Sequence, residues 1–102
     1  MLYRINAKYN LNLVNEFFKK LTDGTMENQK PDGLEIISSM KRAKLQKDKS
    51  VEWYENCFCE VPLNHERTTV YDTYFYDFET TLMEELKDDI VGDSFWEFMQ
   101  KS

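Results

Sequence analysis

Glycine and proline are scarce in this chain, at three and two of 102 residues. So little turn chemistry leaves most of the chain for regular structure. The glycines stand apart at positions 24, 33 and 92, which excludes a phosphate-cradling glycine loop. No apolar run approaches the roughly 18 residues that a membrane span needs. The opening Met1-Leu2-Tyr3-Arg4-Ile5-Asn6 lacks the apolar stretch of a signal peptide. A cytoplasmic protein with no membrane partner is therefore expected. There is no internal repeat, low-complexity tract or linker, so residues 1–102 read as one domain.

Histidine is rarer still, with His65 alone, and the two cysteines are Cys57 and Cys59. On a strand, residues i and i+2 share a face but are too far apart for an easy disulfide. Reduced thiols are expected. Basic residues are scarce in one half only. Residues 1–49 hold ten Lys/Arg and six Asp/Glu, a balance of +4; residues 50–102 hold three and thirteen, a balance of −10. The net −6 argues against nucleic acid as a partner. Halves of opposite sign can attract each other within the fold or across a dimer.

What is present is apolar and aromatic: 41% hydrophobic and 15% aromatic residues, enough for one small core. Residues 2–9 alternate, with Tyr3, Ile5, Ala7 and Tyr9 on one side, which predicts a half-buried strand. Leu13, Val14, Phe17, Phe18 and Leu21 recur at helical spacing between Asn10 or Asn12 and Asp23-Gly24. Residues 24–34 read as a loop.

The segment 35–46 carries two signals. Asp32-Gly33-Leu34-Glu35 resembles a capping box, with Ile36, Ile37, Met40 and Ala43 as a helical stripe. Yet Val51, Trp53, Cys57, Cys59 and Val61 alternate with polar residues and need a strand partner. A tip at Lys47-Asp48-Lys49 sets Leu45 opposite Val51, Lys44 opposite Glu52, Arg42 opposite Tyr54 and Lys41 opposite Glu55. Opposite charges then meet across the pair. This predicts a hairpin of strands 35–46 and 50–60. Val70, Tyr71, Tyr74, Phe75 and Phe78 predict a helix after Asn64. A strand at 79–87 and a short helix after Gly92-Asp93-Ser94 complete the chain.

The predicted order is β-α-β-β-α-β with a C-terminal helix: an α+β class, an antiparallel sheet with helices on one face. It resembles the small dimeric ferredoxin-like domains, a resemblance of element order with no motif behind it. That group includes cofactor-free monooxygenases, lactone isomerases and ligand-binding regulators. The resemblance implies a homodimer that needs no cofactor, with a small-molecule pocket between sheet and helices.

Three places can carry chemistry. Cys57-Phe58-Cys59 with His65 supplies zinc-type ligands, but the spacing matches no zinc pattern. Small apolar core residues are the preferred reading, and no metal is expected. His65-Glu66-Arg67 supplies an acid/base group, against a plain helix-start cluster. A Cys–His nucleophilic pair is the other use of His65. Glu55 falls on the apolar face of its strand, where a carboxylate needs a partner or becomes neutral. Lys41 is the expected partner. Catalytic candidates are thus Glu55 and His65, and ligand-binding candidates are Trp53, Arg67, Tyr71 and Tyr74. The basic tip Lys41–Lys49 has no interleaved aromatics and reads as solvated.

The function that follows is a homodimeric small-molecule-binding or cofactor-free enzyme-like domain. One alternative is a non-enzymatic acidic interaction or regulatory module using residues 72–97. The other is a Cys/His metal-binding protein. The sequence does not decide between binding and catalysis.

Overall fold

A computed structural model describes residues 1–58 and 60–102. β1 (Leu2–Tyr9) is an inner strand of a five-stranded antiparallel sheet. Its Tyr3, Ile5 and Ala7 are buried, as the alternation predicts. A 3-10 turn (Leu11–Leu13) follows, with the Asn10 side chain accepting from the Asn12 N–H. α1 (Val14–Thr22) then buries Val14, Phe17 and Leu21.

α2 (Gly33–Arg42) replaces most of the predicted strand 35–46. Ile36 and Met40 repeat at helical spacing and are buried, and Lys41 and Arg42 sit in the last turn, where the helix dipole favours cations. Only Lys44–Leu45 form a strand, β2, opposite Glu52 and Val51 of β3 (Ser50–Asn56). The hairpin register is thus right at its tip and ends there. The expected Lys41–Glu55 pair does not form: the Lys41 ammonium lies 5.4 Å above the Trp96 ring. Arg42 donates from Nε to the Tyr54 carbonyl at 2.8 Å rather than facing its side chain across a sheet. β3 finds its long partner in β1, with Tyr3 opposite Glu55 and Ile5 opposite Trp53. Cys59, expected on the same face as Cys57, lies outside the described residues.

The predicted helix 64–78 is shorter and mixed: α3 (Asn64–Glu66), a π-helical turn (Arg67–Tyr71) and α4 (Asp72–Tyr74). The wider π turn lets Val70, Tyr71 and Tyr74 all point inward. From Phe75 the strand preference of the aromatics and threonines prevails. β4 (Phe75–Met83) pairs along β1, so the strand predicted at 79–87 starts earlier and stops sooner. Its pairing slips between Asn6 and Lys8, where Asp77 has φ +50. This bulge puts Phe75 and Phe78, three apart, against the same core.

β5 (Asp93–Ser94) pairs with β2, and α5 (Phe95–Lys101) is capped by Ser94 Oγ, which accepts from the Glu97 N–H at 3.2 Å. The strand order is β4-β1-β3-β2-β5. The class is α+β, and α1, α2 and α5 all contribute to one core on the Tyr3–Ile5–Ala7 face of the sheet. No helix is long and apolar enough to cross a membrane among the described residues.

This order has a consequence for the other face. β4 and β5 lie at opposite edges, so residues 84–92 must cross the whole sheet. Four strand spacings are roughly 19 Å, and nine residues reach at most about 30 Å. The segment runs as a strap over the polar face. Asp89 binds Arg4 there, 3.2 Å from Nη1, and accepts from the Tyr54 hydroxyl at 2.7 Å.

Candidate functional site

The only histidine of the chain is held by a carboxylate that its own helix does not use. Asp32 stands at the N-cap of α2, yet its side chain makes no capping hydrogen bond. It turns instead to His65, bonding Nδ1 through Oδ2. A cap of this type stabilises a helix by about 1 kcal/mol. That contribution is forgone here in favour of the imidazole. On the other side Leu63, buried and not a glycine, adopts φ +54 just before α3. Such a conformation costs on the order of 1 kcal/mol and collects at sites that need a particular geometry.

Between them lies a cleft of about 360 Å3 lined by Pro31, Asp32, Glu35, Asn56, Cys57, Phe58 and His65. Phe58 is 94% exposed, an aromatic face turned to solvent at the wall of the cleft. Glu35 closes one wall, its Oε2 accepting from Arg42 Nη2 at 2.9 Å and from the Asn56 N–H at 3.1 Å. Two larger hollows, about 400 and 600 Å3, lie around Asp48 at the far end of the sheet, lined by neither histidine nor thiol among the described residues.

Cys57 links the cleft to a buried polar group. Its thiol donates to Glu66 Oε1 at 3.6 Å, and Glu66 is buried. Behind it is Glu55, 0% exposed. Glu55 Oε1 accepts from the Tyr71 hydroxyl at 2.6 Å and from Trp53 Nε1 at 2.8 Å. Its Oε2 is buried with no hydrogen-bond partner among the described residues. Burial pushes Glu55 up to about 7. The Tyr71 and Trp53 hydrogen bonds oppose the rise, and the nearby Glu66 adds to it. The Tyr71 phenol is in turn driven well above its ordinary value, first by burial and then by Glu55.

The structure therefore joins three of the expected site residues, Glu55, Trp53 and Tyr71, but inside the core rather than on the cleft. His65 is on the cleft. Arg67 lies on the surface, paired with Asp72 at 3.1 Å and stacked over Phe78. Tyr74 stacks on Phe17 at 4.5 Å and donates to Glu16. Among the described residues Cys57 meets Glu66 and His65 meets Asp32; Cys59, the other thiol expected to pair with His65, lies outside them. No group of three or more His, Cys, Asp or Glu side chains is placed to hold a metal among the described residues. Asn56 and Phe58 lie in the segment Asn56 to Arg67 that the sequence marks out, whereas Asp32 escapes a reading of the sequence. Asp32 looks like an ordinary helix cap, and only the fold carries it to a residue 33 positions away.

The Tyr71 hydroxyl is the first of the donors keeping Glu55 from rising further. Tyr71→Phe should move the Glu55 titration above 7, read from the side-chain carboxyl carbon by NMR. An unchanged midpoint would mean that this hydrogen bond does not hold the carboxylate.

No protein-family model, curated protein or solved structure matches the chain.

Proposed function

We propose that the protein binds a small molecule in the His65 cleft and exchanges a proton with it, without metal or cofactor. The observation behind this is the diversion of Asp32 from capping α2 to holding His65. A carboxylate on one ring nitrogen fixes the tautomer and orientation of an imidazole, leaving the other nitrogen for acid/base work. His65 is the proton acceptor and donor, and Asp32 positions it. Phe58 offers a face for a planar apolar part of the ligand. Glu55 stands behind Cys57 and is not a cleft residue, so we assign it no contact with the ligand.

The ferredoxin-like reading belongs here too. It is supported by β1 to β4 in the order β4-β1-β3-β2 with helices in the two crossovers. The edge strand β5 has no counterpart in that four-stranded unit. Pairing of two sheets face to face would require the strap 84–92 to move, so the proposal does not rest on a homodimer.

A thermal-shift screen of metabolites tests the binding. Compounds that raise the melting temperature should bind about tenfold more weakly to Phe58→Ala, a loss of roughly 1.4 kcal/mol. Stabilisation that is the same in Phe58→Ala and His65→Ala would place the ligand elsewhere. A second reading has one observation of its own. Asp77, Glu79, Glu84, Glu85 and Asp93 are all exposed along β4, the strap and the start of β5. That surface fits a basic protein partner, whose affinity would fall steeply with added salt.

A further inference from the structure

We propose that the groove beneath the strap 84–92 is a second binding site, for an elongated carboxylate with an apolar tail. The ligand's carboxylate would take the place that Asp89 now occupies at Arg4 and Tyr54.

Two hollows lie under the strap, of about 330 and 230 Å3. The first is lined by Leu2, Glu35, Arg42, Tyr54, Asn56 and Leu86. The second adds Lys44, Asp88 and Ile90 and shares Arg42, Tyr54 and Leu86 with the first. Shared walls make them one groove along β3 and the end of α2. Its floor is Tyr54, a buried aromatic whose hydroxyl points up to Asp89. Asp89 is therefore a carboxylate already seated in a receptor of one guanidinium and one phenol. The receptor is also visible in the charge state of its parts: the Tyr54 hydrogen bond, with Arg4 beside it, holds Asp89 below the usual carboxylate range.

The strap is built to come away. Between β4 and β5 it has no regular structure, and every residue from 84 to 92 except Ile90 is exposed. Leu86 and Val91 are 60% and 78% exposed, although both are apolar. Among the described residues, its side-chain hydrogen bonds to the sheet are those of Asp89 and of the Gln46 amide, which donates to the Val91 carbonyl at 3.0 Å. Asp88 adopts φ +50, which an aspartate leaves at little loss.

Lifting it reverses the local charge. With the strap down, Arg4, Arg42 and Lys44 face Glu35, Glu52, Asp88 and Asp89, three cations against four anions. With the strap up, Asp88 and Asp89 leave with it, and three cations face two anions. Arg4 keeps Glu52 at 2.8 Å, and Arg42 keeps Glu35 at 2.9 Å. The uncovered face then attracts an anion, and Leu2 and the Tyr54 ring, which stay with the sheet, suit an alkyl chain. The groove reaches the His65 cleft through Glu35 and Asn56, which line both. The proposal does not depend on proton exchange at His65.

Octanoate is a suitable probe, titrated into the intact protein and into Asp89→Asn, with amide shifts followed by NMR. Asp89 is exposed, so the variant should fold; circular dichroism checks this, and Asp89→Ala provides a second variant. Octanoate should bind Asp89→Asn at least tenfold tighter than the parent and shift Arg4, Tyr54 and Leu86. Octan-1-ol, which lacks the charge, should show no such gain. Arg4→Met added to Asp89→Asn should remove it. Equal affinity for parent and variant, equal binding of octanol, or shifts confined to other residues would each overturn the proposal. Shifts at Phe58 and His65 alone would support the cleft while rejecting the groove.

Discussion

Glu55→Gln should flatten part of the protein's pH dependence of stability, and in a definite direction. Glu55 is buried, and its ionisation is moved from 4.5 to about 7. The folded state therefore holds this proton more tightly than the unfolded chain. Between those values the unfolded state releases it and the folded state retains it, so stability falls as pH rises. The contribution is fully present below 4.5, is lost on the way up to 7, and is absent above. The window spans about 3 kcal/mol at roughly 1.4 kcal/mol per pH unit. Glutamine keeps an oxygen for Tyr71 and Trp53 and cannot ionise. The groups facing this carboxyl are Trp53 from β3, Ser39 from α2, Glu66 from α3 and Tyr71 from the π turn. Asp23, Asp48 and Asp89 are shifted the other way. The difference between parent and variant removes their effect. Urea unfolding at pH 4.5 and pH 8 should show the variant gaining about 3 kcal/mol on the parent. Parallel profiles would mean that Glu55 is ionised and compensated throughout.

Gly92→Ala should detach the C-terminal part of the sheet. Gly92 adopts φ +135, and a Cβ there would lie 2.1 Å from the Leu45 carbonyl oxygen. That oxygen belongs to the backbone of β2 and cannot turn aside as a side chain would. Relief requires breaking the pairing of Leu45 with Asp93 and Lys44 with Ser94. It also draws away the Phe95 N–H, which donates to the Ala43 carbonyl at 3.0 Å. Phe95 and Met99 of α5, both buried, are then less well held. A loss of about 2–4 kcal/mol is expected, the scale of backbone strain combined with lost core contacts. Amide exchange should speed first at residues 93–95 and across α5, while β1 and β3 stay protected. Parent-like protection at Ser94 and Phe95 would contradict this account of the strap's anchor.

The parts of the fold legible in the sequence are those where one period speaks alone. β1 alternates without interruption, and α1 shows only the helical spacing. Residues 35–46 hold both patterns, and the pairing Leu45–Val51 and Lys44–Glu52 is real. Extending it backward fails because Ile36 and Met40 already have a helical face to bury. In residues 64–83 periodicity and β propensity each prevail in part, and the change falls at Phe75. Neither pattern could announce the bulge at Asp77 or the π turn, which depend on tertiary packing.

The same holds for the site. Glu55 is on the apolar face that the strand pattern assigns to it. Its partners come from i−2 on its own strand and from the π turn, not from Lys41. His65 stands out because it is the only imidazole. Asp32 does not stand out, because an aspartate before a helix normally caps it. What distinguishes it is a hydrogen bond it fails to make, and that is visible only in three dimensions.

The proton exchange proposed for His65 can be tested directly in D2O. A compound that stabilises the protein and carries an exchangeable C–H should take up deuterium when incubated with the parent protein. His65→Ala should slow this uptake by about 100-fold or more, within the usual range for a general base. Asp32→Asn should slow it less while leaving binding in place. Deuterium uptake that persists at the parent rate in His65→Ala would contradict the assignment of the cleft as a proton-exchanging site.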